Sequence, residues 1–283
     1  MLPRERIRSQ CALVLWWLVA IAGCDRVPDA ALTPSDFDYS VAQPATQCAA
    51  GSKPGAGSDT VETTTPNGIR YVLRAPANYR PDVAHPLLVV FAPAGHGPLA
   101  NERFTRFTHE ATARGWLVAY AGARPMSLGT VQAFASLPQA ITARWCVDES
   151  RIYATGHSDG GTVSTALALL PGIPHPFAAI APSAAGFSGE DLTGYACPAP
   201  TPVMVLHNHD DALFPGFGTA TATWWAQCNG CVARPASTGD ACVSFDGCPA
   251  AAPVSLCLQA GDHRQWPARQ SAILDFLAAQ HRP

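Results

Sequence analysis

The stretch Arg151-Ile152-Tyr153-Ala154-Thr155-Gly156-His157-Ser158-Asp159-Gly160 runs from a short apolar segment straight into a turn of small residues. Its first half has the β-branched and aromatic character of a buried strand. Its second half places glycine two residues before and two residues after a serine, as a tight strand-to-helix turn requires. The backbone at such a serine is strained and the flanking chains pass close to it, so bulkier neighbours would not fit. The pattern is that of a nucleophile elbow, and a helix is expected from Gly160 onward. Chance alone produces such pentapeptides in unrelated chains, so the weight of the reading depends on what surrounds it.

Working outward, short apolar runs alternate with segments of helical spacing from Ile69 to the C-terminus. Strands are expected at Ile69 to Arg74, Leu87 to Ala92, Trp116 to Ala121, Ile152 to Gly156, Ala178 to Ala181, Val203 to His207 and Val254 to Leu258. Helices are expected at about Asn101 to Arg114, Thr130 to Arg144, Gly160 to Leu170, Gly218 to Gln227 and Ala268 to Ala279. This alternation predicts an α/β fold with a mostly parallel central sheet flanked by helices on both faces. No internal repeat is found. With 283 residues and 48% hydrophobic content, the chain can bury a core of that kind.

The N-terminal region reads differently. Arg4, Arg6 and Arg8 precede an apolar run from Cys11 to Ala22 that is short for a membrane-spanning helix, and Ile21-Ala22-Gly23-Cys24 follows. Residues 1–24 therefore read as an export signal. The ending is similar to the lipobox of bacterial lipoproteins, which makes Cys24 the expected lipidation site; an ordinary signal peptide cut near Gly23 is the alternative. Residues 25–60 are rich in Ala, Pro, Thr, Ser and Gly and read as a tether and entry loop without a core. Residues 61–283 form the expected catalytic domain. Localisation at the cell envelope through a lipid, or secretion if the lipobox is unused, follows from this leader.

Only 14% of residues are charged and the formal net charge is −3, which argues against a nucleic-acid partner or a basic membrane-binding face. Of the ten cysteines, Cys11 and Cys24 belong to the leader. The remaining eight, Cys48, Cys146, Cys197, Cys228, Cys231, Cys242, Cys248 and Cys257, are even in number and expected to form disulfides in an oxidising compartment. Their connectivity is open at this level. A zinc site on Cys228-Asn229-Gly230-Cys231 is the weaker alternative, because no second C-x-x-C follows.

A serine nucleophile needs a base, and the base needs an acid to fix its tautomer and stabilise its charge. Behind a nucleophile elbow these groups are expected later in the chain, acid before histidine, each on a loop after a strand. The strand ending at His207 is followed by Asn208-His209-Asp210-Asp211, and the strand ending at Leu258 by Gly261-Asp262-His263. The expected set is Ser158, Asp211 or Asp210, and His263. His157 lies inside the elbow and is poorly placed to approach the serine hydroxyl. A metal reading of His207, His209, Asp210 and Asp211 lacks a further ligand from elsewhere in the chain. Donors for a developing oxyanion are expected at the backbone N–H of Asp159 and on the loop Ala92-Pro93-Ala94-Gly95-His96-Gly97, at Gly95 or the adjacent Ala94.

These residues resemble those of the secreted α/β-hydrolase esterases grouped as poly(3-hydroxybutyrate) depolymerases and feruloyl esterases. The resemblance covers most of the chain from Cys48 onward. It is carried by Cys146 to Tyr153 leading into the elbow, by His207 to Pro215, by Trp225 to Cys231, and by Cys242 to Cys257 continuing to Gly261-Asp262-His263. Laid on the second of these segments, the family's acid falls on Asp211. The resemblance implies a serine carboxylic ester hydrolase working through an acyl-enzyme on feruloyl-type or hydroxyalkanoate esters, polymer-linked in some cases, with no cofactor or metal, as a monomer. A non-catalytic lipoprotein binding carbohydrate or a partner on the same fold is the alternative. The chain departs from the family pattern at Pro93-Ala94, where His-Gly is usual, and at Asn208-His209, where Gly-Thr is usual. It also carries one residue more in His263-Arg264-Gln265-Trp266-Pro267. Trp224, Trp225, Phe214 and Trp266 are candidates for an acyl pocket, or for the core.

Overall fold

The computed structural model describes residues 29–41, 48, 61–173, 176–232 and 242–282. The leader and Cys24 lie outside the described residues. In chain order the strands are β1 (Thr63–Thr64), β2 (Arg70–Arg74), β3 (His85–Phe91), β4 (Leu117–Ala121), β5 (Val147–His157), β6 (Ala179–Ser183), β7 (Val203–Asn208), β8 (Cys242–Ser244) and β9 (Val254–Gln259). The helices are α1 (Pro98–Thr105), α2 (Thr108–Ala113), α3 (Leu128–Ala135), α4 (Leu137–Thr142), α5 (Asp159–Leu169), α6 (Gly189–Thr193), α7 (Phe217–Cys228) and α8 (Gln270–Ala278).

All nine strands form one sheet in the order β1-β2-β4-β3-β5-β6-β7-β9-β8. The run from β4 to β9 is parallel, whereas β1, β2 and β8 pair antiparallel at the two edges. Successive strand residues point to opposite faces, and both faces are dry. Leu87, Val89 and Phe91 of β3 enter one apolar cluster, shared with Val163 and Leu167 of α5 and Trp225 of α7. Leu88 and Val90 enter the other, shared with Phe107, Ala111 of α2 and Ile273, Leu274 and Leu277 of α8. Crossovers on both faces place the C-terminal ends of the parallel strands along one rim, where loops are free to carry chemistry.

Seven strands fall where the apolar runs place them. The two additions, β1 and β8, are edge strands of two and three residues, too short to leave a periodic signal. Two expected helices are broken. The helix over residues 101–114 divides at Arg106, whose φ of 57° is left-handed and ends α1. The helix over residues 130–144 divides at Ser136, and α4 restarts with a proline in its first turn.

The described part of the expected tether, residues 29–41, lies along the domain. Ser35 N–H donates to Thr112 Oγ1 at 2.7 Å, Phe37 N–H to Asn78 Oδ1 at 2.9 Å, and Arg80 N–H to the Tyr39 hydroxyl at 3.0 Å. Single aromatic and polar residues make these contacts, so no hydrophobic period announces them.

All eight cysteines beyond the leader are bridged, as Cys48–Cys146, Cys197–Cys228, Cys231–Cys248 and Cys242–Cys257. Cys228 and Cys231 therefore bond to different partners, which overturns the zinc reading of that pair. The Cys48 bridge spans 98 residues and ties the segment before the domain to the start of β5. The other three gather α7, β8 and β9 at one end of the sheet. Four bridges suit an extracellular, oxidising setting.

One buried ion pair ties β2 to α1. Arg74 Nε donates to Glu102 Oε1 at 2.7 Å, and Thr108 Oγ1 donates to the same oxygen at 2.6 Å. Glu102 is only 2% exposed, so removing the guanidinium strands a carboxylate out of water. Arg74→Met is expected to cost about 3–5 kcal/mol of unfolding free energy, measured by urea denaturation. A loss below about 1 kcal/mol would contradict this account of the pair.

Candidate active site

β5 delivers Gly156 and His157 to the rim, and α5 departs at Asp159, leaving Ser158 alone at the bend. Ser158 has φ 54° and ψ −117°, a strained conformation for a residue with a side chain. The surrounding backbone explains the glycines. A Cβ on Gly160 would lie 2.1 Å from the Phe91 carbonyl oxygen, one on Gly156 would lie 2.6 Å from the same oxygen, and one on Gly161 would lie 2.3 Å from Ser183 O. Strand β3, strand β5 and helix α5 meet too closely for any methyl group. The Ser158 N–H is held by Ser183 O at 3.0 Å, which fixes the turn against the end of β6.

The structure brings Ser158, His263 and Asp211 together. His263 Nε2 lies 2.8 Å from Ser158 Oγ, and His263 Nδ1 lies 2.7 Å from Asp211 Oδ2. A carboxylate can only accept, so Nδ1 carries the proton of the neutral ring and Nε2 presents its lone pair to the serine hydroxyl. The second carboxylate oxygen of Asp211 accepts from the N–H groups of Leu213 and Phe214 at 3.0 and 2.9 Å. Burial pushes the Asp211 carboxyl up, but the hydrogen bonds from His263 and Phe214 N–H outweigh it and hold the group below the usual carboxylate range. Asp210 is exposed, with its N–H on Gly261 O. Of the two aspartates, Asp211 is the one that meets His263.

Ala94, Gly95 and Asp159 line one cleft of about 590 Å³, together with Arg70 and Arg124. Gly95 is left-handed, with φ 76°, and open space surrounds the position of a Cβ there. The Asp159 carboxyl is pushed up by burial. The Phe214 ring stands edge-on to His263 at 4.8 Å and stacks on Phe217 at 5.2 Å. Phe214 thus lies at the site. Trp225 belongs to the core, with Trp224 packed on it. Trp266 packs beneath the site against Phe104, Phe107 and His157.

The other histidines of the region have structural partners. His207 Nε2–H donates to Phe214 O at 3.0 Å and lies 3.6 Å from Asp211 Oδ2. Among the described residues no group of three or more His, Cys, Asp or Glu is arranged to hold a metal ion. His157, which the sequence places poorly for an approach to the serine hydroxyl, makes other contacts. Its Nε2–H donates to the backbone oxygen of His263 at 2.7 Å, while its Nδ1 accepts from Ser183 Oγ at 2.9 Å. No local signal marks these contacts, since 106 residues separate His157 from His263.

No protein-family model matches the chain. A curated relative, feruloyl esterase B of Piromyces equi, is 25% identical over 230 residues, covering 69% of this chain and 42% of its own. The chain thus spans less than half the length of that relative. Among solved structures, acetyl xylan esterase from Aspergillus awamori superposes with a TM-score of 0.61 at 13% identity, over 77% of this chain and 98% of its own. S-formylglutathione hydrolase from Staphylococcus aureus superposes with a TM-score of 0.55 at 12% identity, over 77% and 97%. The chain has the α/β-hydrolase fold, as the sequence resemblance implies.

Burial pushes the His157 imidazole down to about 4; the hydrogen bond to the His263 carbonyl and the Asp211 charge oppose this, while the His263 and His207 rings add to it. An unfolded histidine titrates near ~6.5. The unfolded chain therefore takes up the proton first, and the contribution of neutral His157 is fully present above pH ~6.5 and lost as the pH falls towards 4. Denaturant titrations across this window should show a slope shallower by up to about 1.4 kcal/mol per pH unit in His157→Gln than in the native protein. Identical slopes would contradict the buried neutral ring.

Proposed function

We propose that this protein is a serine carboxylic ester hydrolase. The observation that carries the reading is the pair of hydrogen bonds Ser158 Oγ to His263 Nε2 and His263 Nδ1 to Asp211 Oδ2, built on a strained serine at a helix start. Each link has the polarity that the chemistry needs. Ser158 Oγ attacks the ester carbonyl as His263 Nε2 takes its proton, and Asp211 stabilises the imidazolium that forms. His263 then gives that proton to the leaving alkoxide, leaving an acyl group on Ser158. A water molecule, deprotonated by His263, attacks the acyl carbon and returns the serine. The oxyanion of each tetrahedral intermediate is assigned to the N–H of Asp159, at the N-terminus of α5, and to that of Gly95, which lines the same cleft.

The preferred substrates are feruloyl-type or hydroxyalkanoate esters. This assignment rests on the sequence resemblance and on the name of the Piromyces equi relative, and the Phe214–Phe217 pair beside His263 offers an aromatic ring a flat apolar wall. We further propose lipidation at Cys24, on the strength of Ile21-Ala22-Gly23-Cys24 after an apolar run.

Ser158→Ala is expected to lower kcat/KM on p-nitrophenyl acetate by roughly 10³-fold or more while leaving the melting temperature close to native. Retention of the native rate would overturn the mechanism. Comparing kcat/KM on feruloyl, acetyl-xylan and hydroxybutyrate esters tests the substrate assignment, with acetyl-xylan as the outcome that would contradict it.

A further inference from the structure

We propose that Asn208 and His157 are positioning residues that together hold the backbone of the His263 loop at the register where Nε2 meets Ser158 Oγ. As a statement about catalysis, this rests on the esterase reading above. His263 lies in an irregular stretch between the end of β9 and the start of α8, so no ladder of sheet or helix bonds fixes it. Instead, three of the loop's carbonyl groups receive side-chain donors. Asn208 Nδ2 donates to Asp262 O at 2.7 Å and to Gln265 O at 2.8 Å, one on each side of the histidine. His157 Nε2 donates to the carbonyl of His263 itself at 2.7 Å.

The chemistry of the partners fixes both side-chain orientations. Carbonyl oxygens only accept, so the Asn208 amide must present its nitrogen, whose two hydrogens serve two carbonyls. The Asn208 oxygen is buried without a partner, the cost of this orientation. For the same reason His157 must carry its proton on Nε2, and Ser183 Oγ–H satisfies Nδ1. Ser183 also accepts the N–H of Ser158 on its carbonyl, so one residue at the end of β6 holds the Ser158 backbone directly and the His263 backbone through the His157 ring.

Both donors are almost fully buried, at 1% for Asn208 and 2% for His157. They sit at the ends of β7 and β5, and Phe104 and Trp266 pack against the His157 ring. The loop is therefore hung from the rigid sheet. Asn208, which replaces the small residue usual in the resembled family, provides two donors to a loop that is one residue longer than usual. A Cβ on Gly261 would lie 2.4 Å from Gln265 Oε1 and 3.3 Å from Asn208 Nδ2, so the entry to the loop is shaped around the same amide.

The test uses Asn208→Asp, which keeps the shape but turns the donor into an acceptor, and His157→Phe, which keeps a ring but removes the donor. His157→Gln retains a donor for the His263 carbonyl. With p-nitrophenyl acetate, kcat is expected to fall about 10- to 100-fold in Asn208→Asp and His157→Phe, with KM little changed, and to recover in His157→Gln. Hydrogen–deuterium exchange of peptides covering residues 260–266 should rise in the first two variants and not in the third. Native exchange and native kcat in folded variants would overturn the proposal, as would a rise in KM alone. If Asn208→Asp does not fold, Ser183→Ala carries the test, with raised loop exchange and about tenfold lower kcat expected. Should Ser158→Ala keep native activity, the esterase reading falls, while loop exchange still decides whether Asn208 and His157 hold the loop.

Discussion

The close approach of helix α5 to strands β3 and β5 is the constraint on which the rest of the site depends. The Phe91 carbonyl oxygen occupies the space where a methyl on Gly156 or Gly160 would lie, and the Ser183 carbonyl does the same at Gly161. With three glycines removing side chains from this junction, the chain can turn within one residue from the end of a buried strand into a helix. The cost is concentrated at Ser158, the one residue of the turn that keeps a side chain and a positive φ. That strain is held by the sheet on both sides, and its consequence is a hydroxyl fixed above the rim where β7 and β9 also end.

From that rim the other groups follow. The loop after β7 brings Asp211 under two backbone N–H donors, and the loop after β9 brings His263 between Asp211 and Ser158. These loops begin on adjacent parallel strands, so sheet registry sets the spacing of their starting points. The disulfides reinforce the far edge of the same region: Cys242–Cys257 links β8 to β9, and Cys197–Cys228 and Cys231–Cys248 secure the C-terminal end of α7 and the chain just after it. Cross-links of this kind restrict the unfolded chain more than they shape the folded one.

Much of this was legible in the sequence, and the reason differs by residue. Ile152 to Gly156 and Val203 to His207 are buried on both faces, so they appear as unbroken apolar runs. Ser158, Asp211 and His263 follow strand ends, where the chemistry of a nucleophile and its base gives an expected order. The break at Arg106 was not legible, because a left-handed arginine has no residue-type signature of the kind glycine provides. The roles of Asn208 and His157 were hidden for another reason. Their hydrogen bonds join residues 54 and 106 positions apart, and only the assembled sheet brings those positions together. The sequence marks Asn208 only as a departure from the resembled pattern beside the acid; in the fold its amide is a double donor to the His263 loop.

Everything chemical in this site turns on activation of the Ser158 hydroxyl by its contact with His263. A fluorophosphonate reagent, followed by intact-mass measurement and peptide mapping, tests it most directly, because covalent capture requires an activated nucleophile and identifies the residue. One adduct per chain is expected, on the peptide containing Ser158. An unmodified native protein, or an adduct on any other residue, would contradict it.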